Sequence, residues 1–522
     1  MSDRRPNFLY IITDQHRADY LGCYGHPIVR TPNIDRLAAE GVCFDRFFVA
    51  SPVCMPNRAS LMTGRYPSAH GLRYNGNYLS RRANTFVDVL REAGYRTALI
   101  GKSHLQPMTR FPPEPRVGRE ALGPIAEAWR DDGCDYGQET PERYRSLDYY
   151  PLQKPYYGFD HVDMVTDHGD LCNGHYYQWL RRQIPNADEL RDPASQLPHN
   201  YKCPQAVRTA LPERLYPTAF VAERAKAYLR DAPPDQPFFA FVSFPDPHHP
   251  FTPPGRYWDM YSPSAFALPT PYEAHRNPPP PLRWAHDRLQ DGTRDDSAQD
   301  AFMARPEELK EAMALTCGMI SMIDDAIGEL VAALNDAGHG ENTVIVFNSD
   351  HGDYLGHLSL LLKGPLPYNS ISRVPFIWRD PKGPANIRRS ALASTIDVAP
   401  SIIERAGLKP YWGIQGKSLI NALEDPARQV RDNLLIEFQD NKTRMGFPAP
   451  PFGRTVIGPK YKLSIYKDED WGELYDLEAD PDETNNLWDE SESGSVKRKM
   501  LEALVREMME AVDQSPRGIR RA

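Results

Sequence analysis

The chain has 522 residues, 41% of them hydrophobic and 25% charged, the balance of a globular protein with room for one large domain and a smaller one. Its formal net charge of -9 argues against a nucleic-acid partner, whose phosphates select basic surfaces, while leaving room for a small basic pocket that takes an anionic substrate. Seven scattered cysteines fit reduced thiols, the opening Met1 to Asn7 carries no apolar leader, and no run approaches the roughly 18 apolar residues of a membrane span, so the expected setting is cytoplasmic with no membrane contact.

Asn7 to Ile12 is an almost unbroken apolar run ending in Thr13-Asp14-Gln15. Such a run reads as a buried strand of a parallel sheet, and ligands sit at the carboxyl ends of such strands. Asp14 and Gln15 are therefore candidate metal ligands, with capping of the next segment as the plain alternative for Asp14. Residues 31–41 read as a helix with Pro32 near its start and Gly41 at its stop. Val42 to Val49 reads as a strand that leads into Ser51-Pro-Val-Cys54-Met-Pro56-Asn-Arg58, where a Cys, a Pro and an Arg stand in C-x-P-x-R spacing before a helix-capable run. A cysteine that opens a helix lies beside its free N–H groups and positive dipole end, a place suited to an anion. Arg58 falls one turn on along the same face, where a guanidinium can grip a tetrahedral oxyanion or orient the group at Cys54. A lone Cys and Arg are more often an inert pair, and a cysteine-nucleophile phosphatase needs Arg at position 60, which is Ser.

This stretch, continued by Leu61-Met62-Thr63-Gly64-Arg65-Tyr66-Pro67, resembles the sulfatase signature, and Asn7 to Asp14 is similar to the same family's opening strand. The resemblance implies that Cys54 is oxidised after translation to formylglycine by a formylglycine-generating enzyme. Met55 and Asn57 depart from the small residues usual at those places. Gln15 stands where most sulfatases have a second Asp, which resembles the phosphonate monoester hydrolase branch of the alkaline phosphatase superfamily. In the turn Arg73-Tyr-Asn75-Gly, the resemblance gives Asn75 a contact with the bound ester.

Residues 85–93 read as a helix, and Tyr95 to Ile100 as a strand ending in Gly101-Lys102-Ser-His104. Lys102 and His104, two apart at a strand end, would face one side and meet an anion there; they resemble the family's Gly-Lys-Trp-His motif with Ser103 in place of the aromatic residue. From Gln106 to about Pro217 the pattern fades into a Pro-rich, aromatic and charged stretch, read as an insertion over the rim of the site. Pro237 to Phe244 reads as a core strand, followed by Pro247-His248-His249-Pro250-Phe251, which is similar to the family's Pro-His-x-Pro-Phe and places the catalytic His at His248. Residues 268–305 form a second excursion, read as a loop or a contact between copies of the chain. Pro306 opens a long helix with a core stripe, and Thr343 to Phe347 is a strand ending in Asn348-Ser-Asp350-His351. Asp350 and His351 mirror Asp14 and Gln15, so two adjacent strands would bring four ligands to one cation. Lys363 matches the family's sulfate-binding lysine, whereas Leu358 and Asn369 stand where His and Glu are common.

The expected fold is α/β: a large, mixed but mostly parallel sheet between helices over residues 1–429, then a small antiparallel sheet with a helix over 430–522. The expected activity is hydrolysis of small sulfate monoesters, in which a hydrated formylglycine at position 54 offers a hydroxyl on the metal as nucleophile. In the mechanism the resemblance implies, Lys102, Lys363 and Arg58 would offset charge on the oxyanion, His248 would aid the leaving alcohol, and His104 would take the proton that releases sulfate. Oxygen-rich ligation with one imidazole favours a single Ca²⁺ or Mn²⁺. The alternative substrates are phosphonate monoesters and phosphodiesters, and a non-catalytic anion-binding homologue is the third reading.

Overall fold

The computed structural model describes residues 4–109, 125, 127–297 and 299–520. Parts of the two excursions (110–124, 126 and 298), the first three residues and the end of the basic tail (521–522) lie outside the described residues.

Among the described residues the large sheet has nine strands: β1 Asn7–Thr13, β2 Val42–Phe44, β3 Arg96–Lys102, β4 His161–Thr166, β5 Asn173–Gly174, β6 Phe238–Ser243, β7 Thr343–Ser349, β8 Phe376–Arg379 and β9 Ile387–Arg389. They run in the order β9-β2-β8-β7-β1-β6-β3-β4-β5. From β7 to β4 every neighbouring pair is parallel, and antiparallel pairs enter only at the flanks, β7 with β8, β8 with β2 and β4 with β5.

The apolar run of β1 is unbroken because both of its faces are covered. Leu9 and Ile11 pack toward α1 Pro32–Ala39, α4 Pro217–Arg230 and α5 Pro306–Asp336, whereas Phe8, Tyr10 and Ile12 pack toward α2 Cys54–Thr63, α3 Phe86–Glu92 and α6 Val398–Arg405. The same alternation holds in β6 and β7, where Ala240, Val242, Ile345 and Phe347 share the first side and Phe239, Phe241, Val344 and Val346 the second.

Three expectations need correction. The strand expected over 42–49 breaks at Asp45-Arg46: β2 joins the large sheet, while Phe47–Phe48 pairs with Ala393–Ser394 in a separate two-stranded sheet. The stretch 106–217 is more than a rim insertion, since β4 and β5 belong to the large sheet and extend one edge. The proline cluster at 278–281 is the start of a helix, Pro280–Gln290, with Pro at its first positions, where the missing N–H costs nothing.

After the large sheet come β10 Leu434–Gln439, β11 Phe452–Ile457, β12 Tyr461–Tyr466 and β13 Gly472–Asp476, antiparallel in sequence order. Leu435, Val456, Leu463 and Leu474 meet Met500 and Leu504 of α7 Gly494–Glu510. A buried Lys462–Glu483 pair closes the seam with the rest of the molecule: Lys462 Nζ donates to the Pro367 carbonyl at 2.8 Å, and Glu483 accepts the Asn369 N–H at 2.6 Å. Glu483 thus fixes the backbone at Asn369. All seven cysteines are unpaired. Among the described residues no helix is long and apolar enough to cross a membrane.

Candidate active site

β1 and β7 are adjacent in a register that sets Thr13 opposite Ser349, so Asp14 and Asp350 leave the sheet side by side. β3 ends level with them: Gly101 lies opposite Ser243 of β6, and Ser243 is itself level with Ile12 of β1. Gly101 has φ +113°, and a Cβ there would stand 1.9 Å from the Ser243 carbonyl oxygen. Only glycine lets the backbone carry Lys102 this close to β6.

α2 begins at Cys54, with Val53 extended as its N-cap, and all of its residues are buried. Both departures in the signature have structural work. Asn57 accepts the Ala50 N–H at 2.9 Å and donates to the Asp350 carbonyl, tying the helix start to the end of β7. Met55 receives the Gly76 N–H at its sulfur, 3.2 Å away, and its own N–H donates to Asn75 Oδ1 at 3.2 Å. Asn75 therefore holds the first turn of α2 through its amide oxygen.

Cys54 Sγ lies 3.0 Å from His351 Nε2 and 3.9 Å from Asp14 Oδ1. His351 Nε2 is 3.7 Å from both Asp14 Oδ1 and Asp350 Oδ1, and its Nδ1 donates to the Gly352 carbonyl. One oxygen of each carboxylate thus faces a shared point with the imidazole and the thiol, the four donor atoms lying within 4.8 Å of one another. The other oxygens face outward to fixed cations. Arg58 Nε donates to Asp350 Oδ2 at 2.7 Å, Arg58 Nη2 reaches Asp14 Oδ2 at 3.4 Å, and Lys102 Nζ pairs with Asp14 Oδ2. Arg58 Nη1 is committed to Ser243 Oγ and the Lys102 carbonyl. This corrects the expectation for Arg58: its donors are directed to the two carboxylates and their supports, and not outward to an ester.

Burial by itself would raise the Asp14 carboxyl, but Lys102 and Arg58, then His168 and His351, hold it well below the usual carboxylate range. Burial likewise opposes ionisation of Cys54, yet Lys363, with His351 and Lys102, brings the thiol below its ordinary value against the pull of Asp14. His351 is raised against its burial by Asp350 and Cys54.

Around this centre Lys363 Nζ donates to Gln15 Oε1 at 2.6 Å and to His248 Nε2 at 2.7 Å. Gln15 has φ 65°; its amide nitrogen meets His249 Nδ1 at 3.0 Å and donates to Asp353. Burial pushes Asp353 up to about 6, against that bond from Gln15. His104 lies beyond the end of β3, at φ 60°, with its N–H on Glu139 and its buried Nδ1 without a hydrogen-bond partner. Burial, then the charges of Lys102 and Arg58, keep its imidazole uncharged.

The geometry thus gathers Cys54, Asp14, Asp350, His351, Lys102, Lys363, Gln15, Arg58 and His248 into one connected network. It also adds residues that sequence reasoning missed. His168 Nε2 accepts from Lys102 Nζ at 2.6 Å, and His249, assigned to a variable position, bonds to Gln15 and Gln299. A signal for His168 existed: Val162 and Met164 alternate ahead of Thr166-Asp-His168, a strand running into polar residues like that before Asp14. Asp14, His168 and His248 form a second donor group, but the Lys102 ammonium already sits against two of its members.

Residues 6–408 match the family model Sulfatase, and residues 365–510 match that of N-sulphoglucosamine sulphohydrolase, C-terminal. The chain belongs to the sulfatase family. This sulfatase is 28% identical over 494 residues to an arylsulfatase of Clostridium perfringens, covering 92% of this chain and 90% of that one. It is 29% identical over 511 residues to the multifunctional alkaline phosphatase superfamily protein PehA of Trinickia caryophylli, covering 92% and 91%. Among solved structures, the phosphonate monoester hydrolase of Agrobacterium radiobacter superposes with a TM-score of 0.76 at 26% identity, covering 98% of this chain and 97% of that one.

Proposed function

We propose that this sulfatase hydrolyses sulfate monoesters, with residue 54 as nucleophile after conversion of Cys54 to formylglycine. The observation that carries the reading is the division of the carboxylates: Oδ1 of Asp14 and of Asp350 face Cys54 and His351, while Oδ2 of each is neutralised from behind by Lys102 and Arg58. That donor set fits one hard divalent cation, held by Asp14, Asp350 and His351 with Gln15 at the edge, and Ca²⁺ or Mn²⁺ suits its oxygen-rich character. Such a cation would lower the pKa of a hydroxyl beside it and polarise the sulfuryl oxygens.

The hydrated aldehyde at position 54 carries two hydroxyls. One attacks sulfur, and the other, on losing its proton to His104, lets the aldehyde re-form as sulfate leaves. His104 offers that task a buried ring nitrogen that no other group occupies. Lys102 and Lys363 are the ammonium donors for the sulfuryl oxygens, and Arg58 pairs with the carboxylates behind them. His248, whose Nε2 accepts from the Lys363 ammonium, relays that proton to the departing alcohol and leaves Lys363 neutral.

A second reading keeps the machinery and changes the ester to a phosphonate monoester or phosphodiester. Gln15 and His351 favour it, as does the likeness to the Agrobacterium enzyme; Lys102 and His104 favour sulfate. Nitrophenyl sulfate and a nitrophenyl phosphonate monoester, offered in competition, decide between them. The expected result is a higher kcat/KM for the sulfate ester, and a preference for the phosphonate beyond about tenfold, ~1.4 kcal/mol, would replace the first reading with the second.

A further inference from the structure

Three imidazoles are stacked at one side of the site. His168 lies over His248 with 3.5 Å between ring centres and 12° between planes, and His248 lies over His249 at 4.0 Å and 27°. The inner ring, His249, is fixed by Gln15 and Gln299. The middle ring, His248, is held at its edge by Lys363 and by the His249 carbonyl. The outer ring, His168, keeps 17% side-chain exposure where Lys102 and Asp14 have none, and its Nε2 accepts from Lys102 Nζ at 2.6 Å. It arrives on the turn after β4, with two strands standing between β4 and β1, so the edge of the sheet that the sequence concealed delivers a side chain to the centre.

Resting on the sulfate-ester reading, we propose that His168 is a positioning residue: it fixes the Lys102 ammonium beside Asp14 and closes the outer face of His248. A lysine carries three donors on a flexible four-carbon stem, so its place in a site is set by the acceptors around it. The side-chain acceptors on Lys102 are Asp14 and His168. A ring stacked on one side only can tilt and admit water on the other, whereas one covered on both sides keeps the plane in which it must meet the leaving oxygen. With Lys102 donating to its Nε2, a neutral His168 carries its own proton on Nδ1 and serves as acceptor and cover.

Three variants separate these two parts. His168→Ala should lose about a hundredfold in kcat/KM on an alkyl sulfate, whose alcohol needs a proton to leave, but only a few-fold on nitrophenyl sulfate, whose phenolate leaves unaided. His168→Phe, which restores the covering face and not the acceptor, should bring the alkyl-to-aryl ratio back toward that of the unsubstituted enzyme. His168→Asn, which restores an acceptor and not the stack, should recover the affinity for inorganic sulfate that His168→Ala loses, measured by calorimetry in a Cys54→Ala background. Equal losses on both esters in His168→Ala, or an unchanged ratio together with unchanged sulfate affinity, would overturn the assignment. Should the unsubstituted protein hydrolyse neither sulfate nor phosphonate esters, the reading of the reaction fails instead, and the sulfate-binding arm still decides the place of His168.

Discussion

Cys54→Ala is expected to abolish ester hydrolysis, by about five orders of magnitude, while leaving the fold intact. The first part follows from the position of the side chain. Cys54 sits at the point where the two inward carboxylate oxygens, the His351 ring and the surrounding lysines meet, and none of the neighbouring groups offers another nucleophile in that place. The second part follows from its packing. Its polar contacts are with site residues, and α2 is anchored independently by Asn57, Asn75 and the apolar side chains of Ala59, Leu61 and Met62. The change in stability should stay within about 1 kcal/mol, the range of substitutions that open no large cavity. Urea unfolding and turnover measured on one preparation check both parts. A Cys54→Ala enzyme that retains even a few per cent of activity would place the nucleophile elsewhere.

Arg58→Met should have the opposite balance, costing about 3–5 kcal/mol of stability as well as activity. Arg58 is 1% exposed and bonds to two carboxylates that are themselves fully buried, so its removal leaves buried negative charge with one cation fewer. Met keeps the volume of the stem and so isolates the charge from the packing. A divalent cation on the inward oxygens would replace part of what is lost. Saturating Ca²⁺ or Mn²⁺ should therefore raise the urea midpoint of Arg58→Met more than that of the unsubstituted protein, where ligand at a hundred times its Kd adds about 2.7 kcal/mol. Chelation should lower both midpoints and stop turnover. An Arg58→Met protein as stable as its parent in chelator would mean that the Arg58 pairs with Asp14 and Asp350 do not hold the fold as described.

What could be read in advance divides along physical lines. β1, β3, β6 and β7 are covered on both faces, so their sequences are largely apolar, and Asp14, Lys102 and Asp350, at or just past their ends, follow from that rule as candidate site residues; His248 lies beyond the end of β6 and is named through the resemblance of Pro247 to Phe251 to the family motif. β4 lies next to the two-residue β5, which closes that edge, and its sequence His-Val-Asp-Met-Val-Thr mixes charge with apolar residues, so neither it nor His168 at its end stood out. The break after β2 was hidden because Asp45 and Arg46 interrupt an otherwise apolar run by only two residues. Arg58 shows a different limit. Helical spacing correctly sets it on the Cys54 side of α2, but its partners come from positions 44 and 292 residues away, and spacing along one helix says nothing of what another strand brings to meet it. The helix Pro280–Gln290 inside the excursion read over 268–305 was missed because a proline run ends most patterns yet also suits the first turn of a helix.

The central claim is that residue 54 acts as an aldehyde hydrate and not as a thiol. Trypsin should release Phe47–Arg58 as one peptide, and its mass in a fully active preparation tests the claim directly. The predicted result is a peptide in which the CH₂–SH of Cys54 has become an aldehyde, in a fraction that rises and falls with specific activity across preparations made with and without the formylglycine-generating enzyme. Unmodified cysteine throughout an active preparation would contradict it.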